Sequence, residues 1–226
     1  MSLEKYKQKR NFLVSPEPSG KPHEATSAKR DLLYVIQKHR ASQLHYDFRL
    51  EFNGVLLSWA VPKGPSLDPS VKRLAMQVED HPPEYGSFEG VIPEGEYGGG
   101  TVMVWDSGKW IPESEDVAVA LQKGDLKFTL VGKKLRGSWV LVRTRGFGSK
   151  VDKSWLLIKH RDKYASEKDI TAAEPRSVLS KKLLADIARE NGGDVEKAAT
   201  GDPMKAANPK ARTIVRIPKG KKTTKS

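Results

Sequence analysis

Two imidazoles, a carboxylate and a guanidinium fall within one short stretch, His39 to Glu51, at a spacing that could place them together. From His45 onward polar and apolar residues alternate strictly, which is the period of a half-buried β-strand. Side chains two apart share a face, so His45, Asp47, Arg49 and Glu51 stand opposite Tyr46, Phe48, Leu50 and Phe52. The preceding run Leu32 to His39 reads as a second strand, and the short link between the two suits a hairpin that carries His39 towards His45 and Asp47. Nitrogen and oxygen donors of this kind suit Mn²⁺, Zn²⁺ or Fe²⁺. The planar fork of Arg49 suits a phosphate beside such an ion. A lone histidine on a strand is ordinarily structural, and a polar face turned to solvent needs no explanation. Turned into a barrel, the same charges have to be paired or bound to something.

Further chemistry-bearing residues lie downstream. His81 follows Glu79-Asp80 and precedes Pro82-Pro83, so it stands where a strand ends, at a rim. There it could donate to a phosphate or act as a general acid, or be an ordinary loop histidine. Lys63 and Arg73 are additional cationic candidates that taken singly read as surface charges. The run Gly90 to Gly100 is glycine-rich but lacks the lysine and hydroxyl of a phosphate-cradling loop, and reads as a tight structural turn. His23 and His160 carry no functional reading.

The elements that must position these residues are mainly strands, expected over 32–39, 44–52, 55–61, 74–79, 101–106, 126–131, 137–144 and 154–160. One short helix is expected over 117–123 with Asp116 as its cap, and another over 177–190, where Val178, Leu179, Leu183 and Ile187 cluster on one side. Many short strands in close succession predict a mainly β fold, an antiparallel barrel or sandwich. The expected organisation is an extended basic arm over 1–30, a barrel over 31–175, a C-terminal helix over 176–193 and a basic disordered tail over 194–226.

Charge divides the chain in the same way. Its net charge is +12, yet residues 31–202 hold twenty-five basic and twenty-five acidic residues. The excess sits in residues 1–30, seven basic against three acidic, and in 203–226, eight against none. Basic ends on a neutral domain read as arms for a polyanion, most simply nucleic acid, or as solubilising tails. No cysteine is present, so disulfides and thiolate ligands are excluded. No apolar run is long enough to span a bilayer and the first residues lack a signal-peptide core, so a cytoplasmic, nucleoid-associated protein without a membrane partner is expected.

Several long motifs resemble one family. Gln37-Lys38-His39-Arg40-Ala41-Ser42, Leu44-His45-Tyr46-Asp47-Phe48-Arg49-Leu50-Glu51, Ser58-Trp59-Ala60-Val61-Pro62-Lys63-Gly64-Pro65-Ser66, Val78-Glu79-Asp80-His81-Pro82, Phe88 to Gly98 and Trp155 to His160 are similar to the 3′-phosphoesterase domain of bacterial DNA ligase D. The resemblance covers roughly residues 3–190, and the remaining length holds no ligase or polymerase module, as expected of a stand-alone member. It implies a compact antiparallel β-barrel with a few short peripheral helices and a Mn²⁺-dependent site, with Zn²⁺ or Co²⁺ as alternative ions. The implied activity is DNA 3′-end healing: a phosphodiesterase step removes a 3′-terminal ribonucleotide and a phosphomonoesterase step removes the remaining 3′-phosphate. His39, His45 and Asp47 would be metal ligands; Arg49 and His81 would contact the phosphate; Lys63, Arg73, Glu79 and Tyr85 would support them. The family's N-terminal Arg-Asp pair and later Glu read here as Arg10, Asn11 and Glu17, so one carboxylate is missing from that arm. Implied partners are DNA or RNA-containing DNA 3′ ends, with Ku and a separate ligase or polymerase, acting on a monomer.

Two other readings stay open. His45, Asp47 and a distant His81 imitate the two-histidine, one-carboxylate triad of non-haem iron oxygenases. Alternatively, the domain only binds DNA ends through its basic arms and turns nothing over.

Overall fold

The computed structural model describes residues 2–20, 31–144 and 153–204. Nine strands are present: β1 Leu32–Arg40, β2 Leu44–Phe52, β3 Val55–Val61, β4 Arg73–Gln77, β5 Gly90–Ile92, β6 Gly100–Pro112, β7 Asp125–Gly132, β8 Arg136–Arg143 and β9 Ser154–Lys159. They run in the order β1-β2-β3-β4-β9-β8-β7-β6, and β6 returns to pair with β1, closing an antiparallel eight-stranded barrel. Closure removes the free edges a flat sheet would expose. β5 lies outside the ring, paired with the start of β6.

Alternation along the strands fills the barrel. Tyr34 and Ile36 of β1, Tyr46, Phe48 and Leu50 of β2, Leu57 and Trp59 of β3, and Phe128, Trp139, Leu141 and Trp155 from the far wall form one buried apolar cluster. All five tryptophans are buried. At ~25 cal/mol per Å² and ~150–250 Å² per aromatic ring, each contributes about 4–6 kcal/mol before the entropy of ordering it. The polar face of β2 is therefore the outer one. His45, Asp47, Arg49 and Glu51 point away from the barrel interior, which corrects the expectation that a polar face bound to a barrel would look inward. Burial is achieved instead by a second layer on the outside. There Tyr6 of helix α1 (Glu4–Gln8) and Tyr85, in a 3₁₀ turn at Pro83–Ser87, pack with Val35, Leu56, Val104 and Val178.

Local structure follows the expected elements closely, with three differences. β6 runs on well past residue 106 because Gly108 lets β7 approach: a Cβ there would lie 2.1 Å from the Val131 carbonyl oxygen. Helix α2, Val117–Lys123, forms as expected, with the Asp116 carboxylate accepting from Val119 N at 3.0 Å. After α3 (Ile170–Ala173), the helix expected over 176–193 is confined to α4, Leu184–Glu190. Ser177 Oγ accepts from Leu179 N and Ser180 N, Lys181 takes a positive φ of 66°, and Leu179 is exposed, so residues 177–182 form a turn instead. The third difference is in the expected tail, which begins with an ordered helix, α5 Val195–Ala199. Asp202 beyond it accepts from Leu184 N and Ala185 N, capping α4. Residues 21–30, with His23, and the basic segment from 205 lie outside the described residues.

Candidate metal centre and anion site

The β1–β2 hairpin sets His39 directly across from His45 and Gln37 across from Asp47. The two imidazole centroids are 4.8 Å apart. His39 Nδ1 lies 3.7 Å from Asp47 Oδ2, and His45 Nε2 lies 3.7 Å from Oδ1. One donor atom from each residue lies within 4.8 Å of the others. Among the described residues no other group of His, Asp and Glu side chains comes together in this way.

The outer nitrogens of both rings are committed. His39 Nε2 donates to the Gly98 carbonyl at 2.8 Å and His45 Nδ1 to the Gln43 carbonyl at 3.0 Å. A carbonyl only accepts, so these nitrogens carry the protons and the inner lone pairs face the Asp47 carboxylate. At 3.7 Å those inner contacts are too long for hydrogen bonds. Three electron-pair donors converging without a proton between them fit a divalent cation, and the outer-nitrogen anchoring is what fixes ligand histidines elsewhere. Burial alone would push the Asp47 carboxyl up; the Arg49 guanidinium and then the two imidazoles outweigh it and hold the group well below the ordinary carboxylate range. Asp47 is thus an ionised ligand.

Arg49 joins this cluster to a second one. Its Nη2 lies 3.2 Å from Asp47 Oδ2, Nε donates to Gln37 Oε1 at 2.8 Å, and Nη1 donates to Ser58 Oγ at 2.7 Å. The guanidinium also lies 5.0 Å from the Tyr85 ring centre. His81 sits behind it, its Nδ1 2.9 Å from both Arg49 Nη1 and the Glu79 carbonyl, its Nε2 3.2 Å from Arg10 Nη2. A neutral ring satisfies this best: Nδ1–H donates to the Glu79 carbonyl and Nε2 accepts from Arg10.

The N-terminal arm closes the network. Arg10 Nε donates to Glu17 Oε1 at 2.9 Å and its Nη1 reaches Glu79 at 3.3 Å, while the Tyr85 hydroxyl donates to Glu17 Oε1 at 2.9 Å. Burial would raise the Glu79 carboxyl, but its own backbone N–H, Lys9 and Arg10 hold it below the ordinary value. Arg10, Glu17, Arg49, Glu79, His81 and Tyr85 are therefore one connected set touching Asp47. Lys63 and Arg73 are not joined to it by any ion pair among the described residues. They flank the β3–β4 link at the barrel end where His39 and His45 stand, Lys63 exposed and Arg73 half-buried. Asn11 is exposed and accepts from Leu13 N with its side chain, capping its own turn. The triad His45, Asp47 and His81 is not assembled: His39 completes the cluster, and His81 lies against the two arginines.

Sequence reasoning gave no role to Gln37, Ser58, Lys9, Tyr6 or the glycine-rich run. Gln37 was detectable, being an amide in an otherwise apolar strand two residues before His39. The Gly90–Gly100 run is more than a turn, since Gly98, at φ 82°, presents the carbonyl that orients His39. Tyr6 carries no local signal, because its burial against His81, ring centres 5.0 Å apart, exists only once the arm folds back.

One consequence concerns pH. Burial first, then the charges of Arg49 and Arg10, hold the His81 imidazole well below its ordinary 6.5. The unfolded chain then takes up a proton that the folded chain refuses, so stability is complete above about 6.5 and declines as pH falls below it. His81→Gln is expected to flatten that decline in urea unfolding compared at about pH 7 and about pH 5.5. An unchanged slope in the variant would refute the assignment.

A closed antiparallel barrel with a histidine–carboxylate cluster and a buried guanidinium on its outer wall is an all-β protein with a candidate metal centre beside an anion site. Residues 37–143 match the family model of the DNA Ligase D 3′-phosphoesterase domain, and the chain belongs to that family. A multifunctional non-homologous end joining protein LigD from Pseudomonas aeruginosa is 52% identical over 186 residues, which cover 80% of this chain and 22% of that protein. The Mycobacterium tuberculosis multifunctional non-homologous end joining DNA repair protein LigD is 43% identical over 144 residues, 64% of this chain and 18% of that one. The LigD of Mycolicibacterium smegmatis is 40% identical over 165 residues, 71% and 21%. The chain thus spans about a fifth of the length of these relatives. No helix among the described residues is long and apolar enough to cross a membrane.

Proposed function

We propose that this protein is a Mn²⁺-dependent 3′-end-healing phosphoesterase acting on DNA 3′ ends during break repair by end joining, with Ku and a ligase serving the same ends. The observation that carries the reading is the convergence of His39 Nδ1, His45 Nε2 and the ionised Asp47 carboxylate beside the Arg49 guanidinium. His39, His45 and Asp47 would hold the ion. When bound, a divalent ion there supplies Lewis acidity towards a phosphoryl oxygen and lowers the pKa of a water.

The chain's own residues do the rest. Arg49 is locked by Gln37 and Ser58, so its fork is already oriented when a phosphate arrives, and preorganised donors stabilise developing charge at no reorganisation cost. His81, kept neutral between two guanidiniums, holds Arg10 and Arg49 in position and is not poised to deliver a proton at neutral pH. Arg10, fixed by Glu17 and Glu79, adds a second cation on the phosphate side of the site. Lys63 and Arg73 at the same barrel end are placed to meet the approaching strand rather than the reacting phosphate.

The test is a labelled primer-template ending in one ribonucleotide or in a 3′-phosphate, incubated with and without Mn²⁺. Stepwise conversion to a 3′-hydroxyl only with the ion is expected. Binding without turnover in Mn²⁺, Zn²⁺ or Co²⁺ would instead leave a DNA-end-binding module.

A further inference from the structure

We propose that the open pocket beyond the two histidines seats the terminal nucleoside of a nucleic-acid 3′ end, and that its acidic wall confines cleavage to the last phosphodiester. This rests on the phosphoesterase reading and names the part of the substrate that this side of the site takes. The pocket has a volume of about 450 Å³ and is lined by Ala41, Ser42, Glu94, Glu96, Gly98 and Lys197 among others. That volume falls within the range of small-molecule sites, about 300–1,000 Å³. Its walls are the two loops that orient the candidate ligands: Gly98 accepts from His39, and Gln43, next to Ser42, accepts from His45. The pocket therefore opens immediately beside the cluster, on the side away from Arg49 and Arg10.

Charge separates the two sides. Arg49 and Arg10 stand on one, suited to phosphate. On the other, Lys197 lies 3.4 Å from Glu94, leaving Glu96 without an ion pair among the described residues. Carboxylates repel phosphate but accept hydrogen bonds from sugar hydroxyls. Every internal nucleoside of a strand carries a phosphate on its far side; the 3′-terminal one does not. A pocket with a net negative rim admits the terminal unit and refuses the rest. In the diester step a water oxygen bonds to phosphorus, the bond from phosphorus to the terminal 5′-oxygen breaks, and a proton from that water ends on the leaving oxygen. The neutral nucleoside is released and a 3′-phosphate remains. In the monoester step nothing occupies the pocket.

Two variants of the full chain test this against ends bearing either a terminal ribonucleotide or a 3′-phosphate. Ser42→Trp fills the pocket, and the ratio of diester to monoester turnover is expected to fall at least tenfold. An unchanged ratio, including equal losses on both ends, overturns the seat. Glu96→Lys is read on an end whose terminal nucleoside carries a hydrolysis-resistant 3′-phosphonate, where cleavage of the last diester is expected to rise at least tenfold over the unsubstituted protein. No rise overturns the wall, whatever the folding of the tryptophan variant. An unsubstituted protein inactive on both plain ends would instead sink the phosphoesterase reading, a distinct result.

Discussion

Asp47→Asn and His45→Ala are each expected to lower Mn²⁺-dependent 3′-phosphate release by roughly a thousandfold while the barrel stays folded. Loss of a metal ion's charge stabilisation costs several kcal/mol, and every 1.36 kcal/mol in the barrier is tenfold in rate. Asp47→Asn preserves volume and can still accept from Arg49 through its amide oxygen, but it removes the charge on which the two inner lone pairs converge. His45 sits at the rim with its side chain 22% exposed, and its printed partners are Asp47 and the Gln43 carbonyl, so its truncation unpairs nothing deep in the core. Both readouts are needed: turnover of the labelled end, and Mn²⁺ binding followed by calorimetry. Normal turnover by either variant would remove the cluster from the mechanism.

Arg49 gives the second large effect, on stability as well as rate. It is 2% exposed and its fork serves Gln37, Ser58 and Asp47 together. Arg49→Ala leaves the Asp47 charge without its strongest partner, and breaking a buried pair costs about 3–5 kcal/mol. For a domain of this size, at about 2–4 °C per kcal/mol, Tm should fall by roughly 10 °C. Arg49→Lys separates charge from geometry, because an ammonium keeps the charge and loses the planar fork. It should recover part of the lost stability while turnover stays at least a hundredfold down. Full recovery of both by lysine would show that the fork itself is unimportant.

Much of this molecule was legible before any coordinates. The alternation from His45 to Phe52 fixed which side chains of β2 share a face, and the short link to the preceding apolar run fixed the hairpin that brings His39 opposite His45. Asp116 and Gly124 bounded α2 because a cap and a left-handed residue act locally. The period that suggested a helix from Ser177 misled at its start, where a serine hydroxyl offered the backbone a competing turn. Which of the two faces of β2 would be covered was not legible either. Alternation is symmetric with respect to inside and outside.

The sequence by itself determined the strands, the hairpin, the pairing of two imidazoles with a carboxylate and the closeness to a phosphoesterase family, since each depends on neighbours along the chain. Only the tertiary structure decided that the polar face lies on the outer wall, that Tyr6, Arg10 and Glu17 fold back to bury it, and that Gly98 and Gln43 supply the carbonyls that orient the histidines. These are contacts between segments far apart in sequence, some more than fifty residues, and they form because closing the barrel buries the apolar face and leaves the charged one to be covered by whatever the rest of the chain can bring to it.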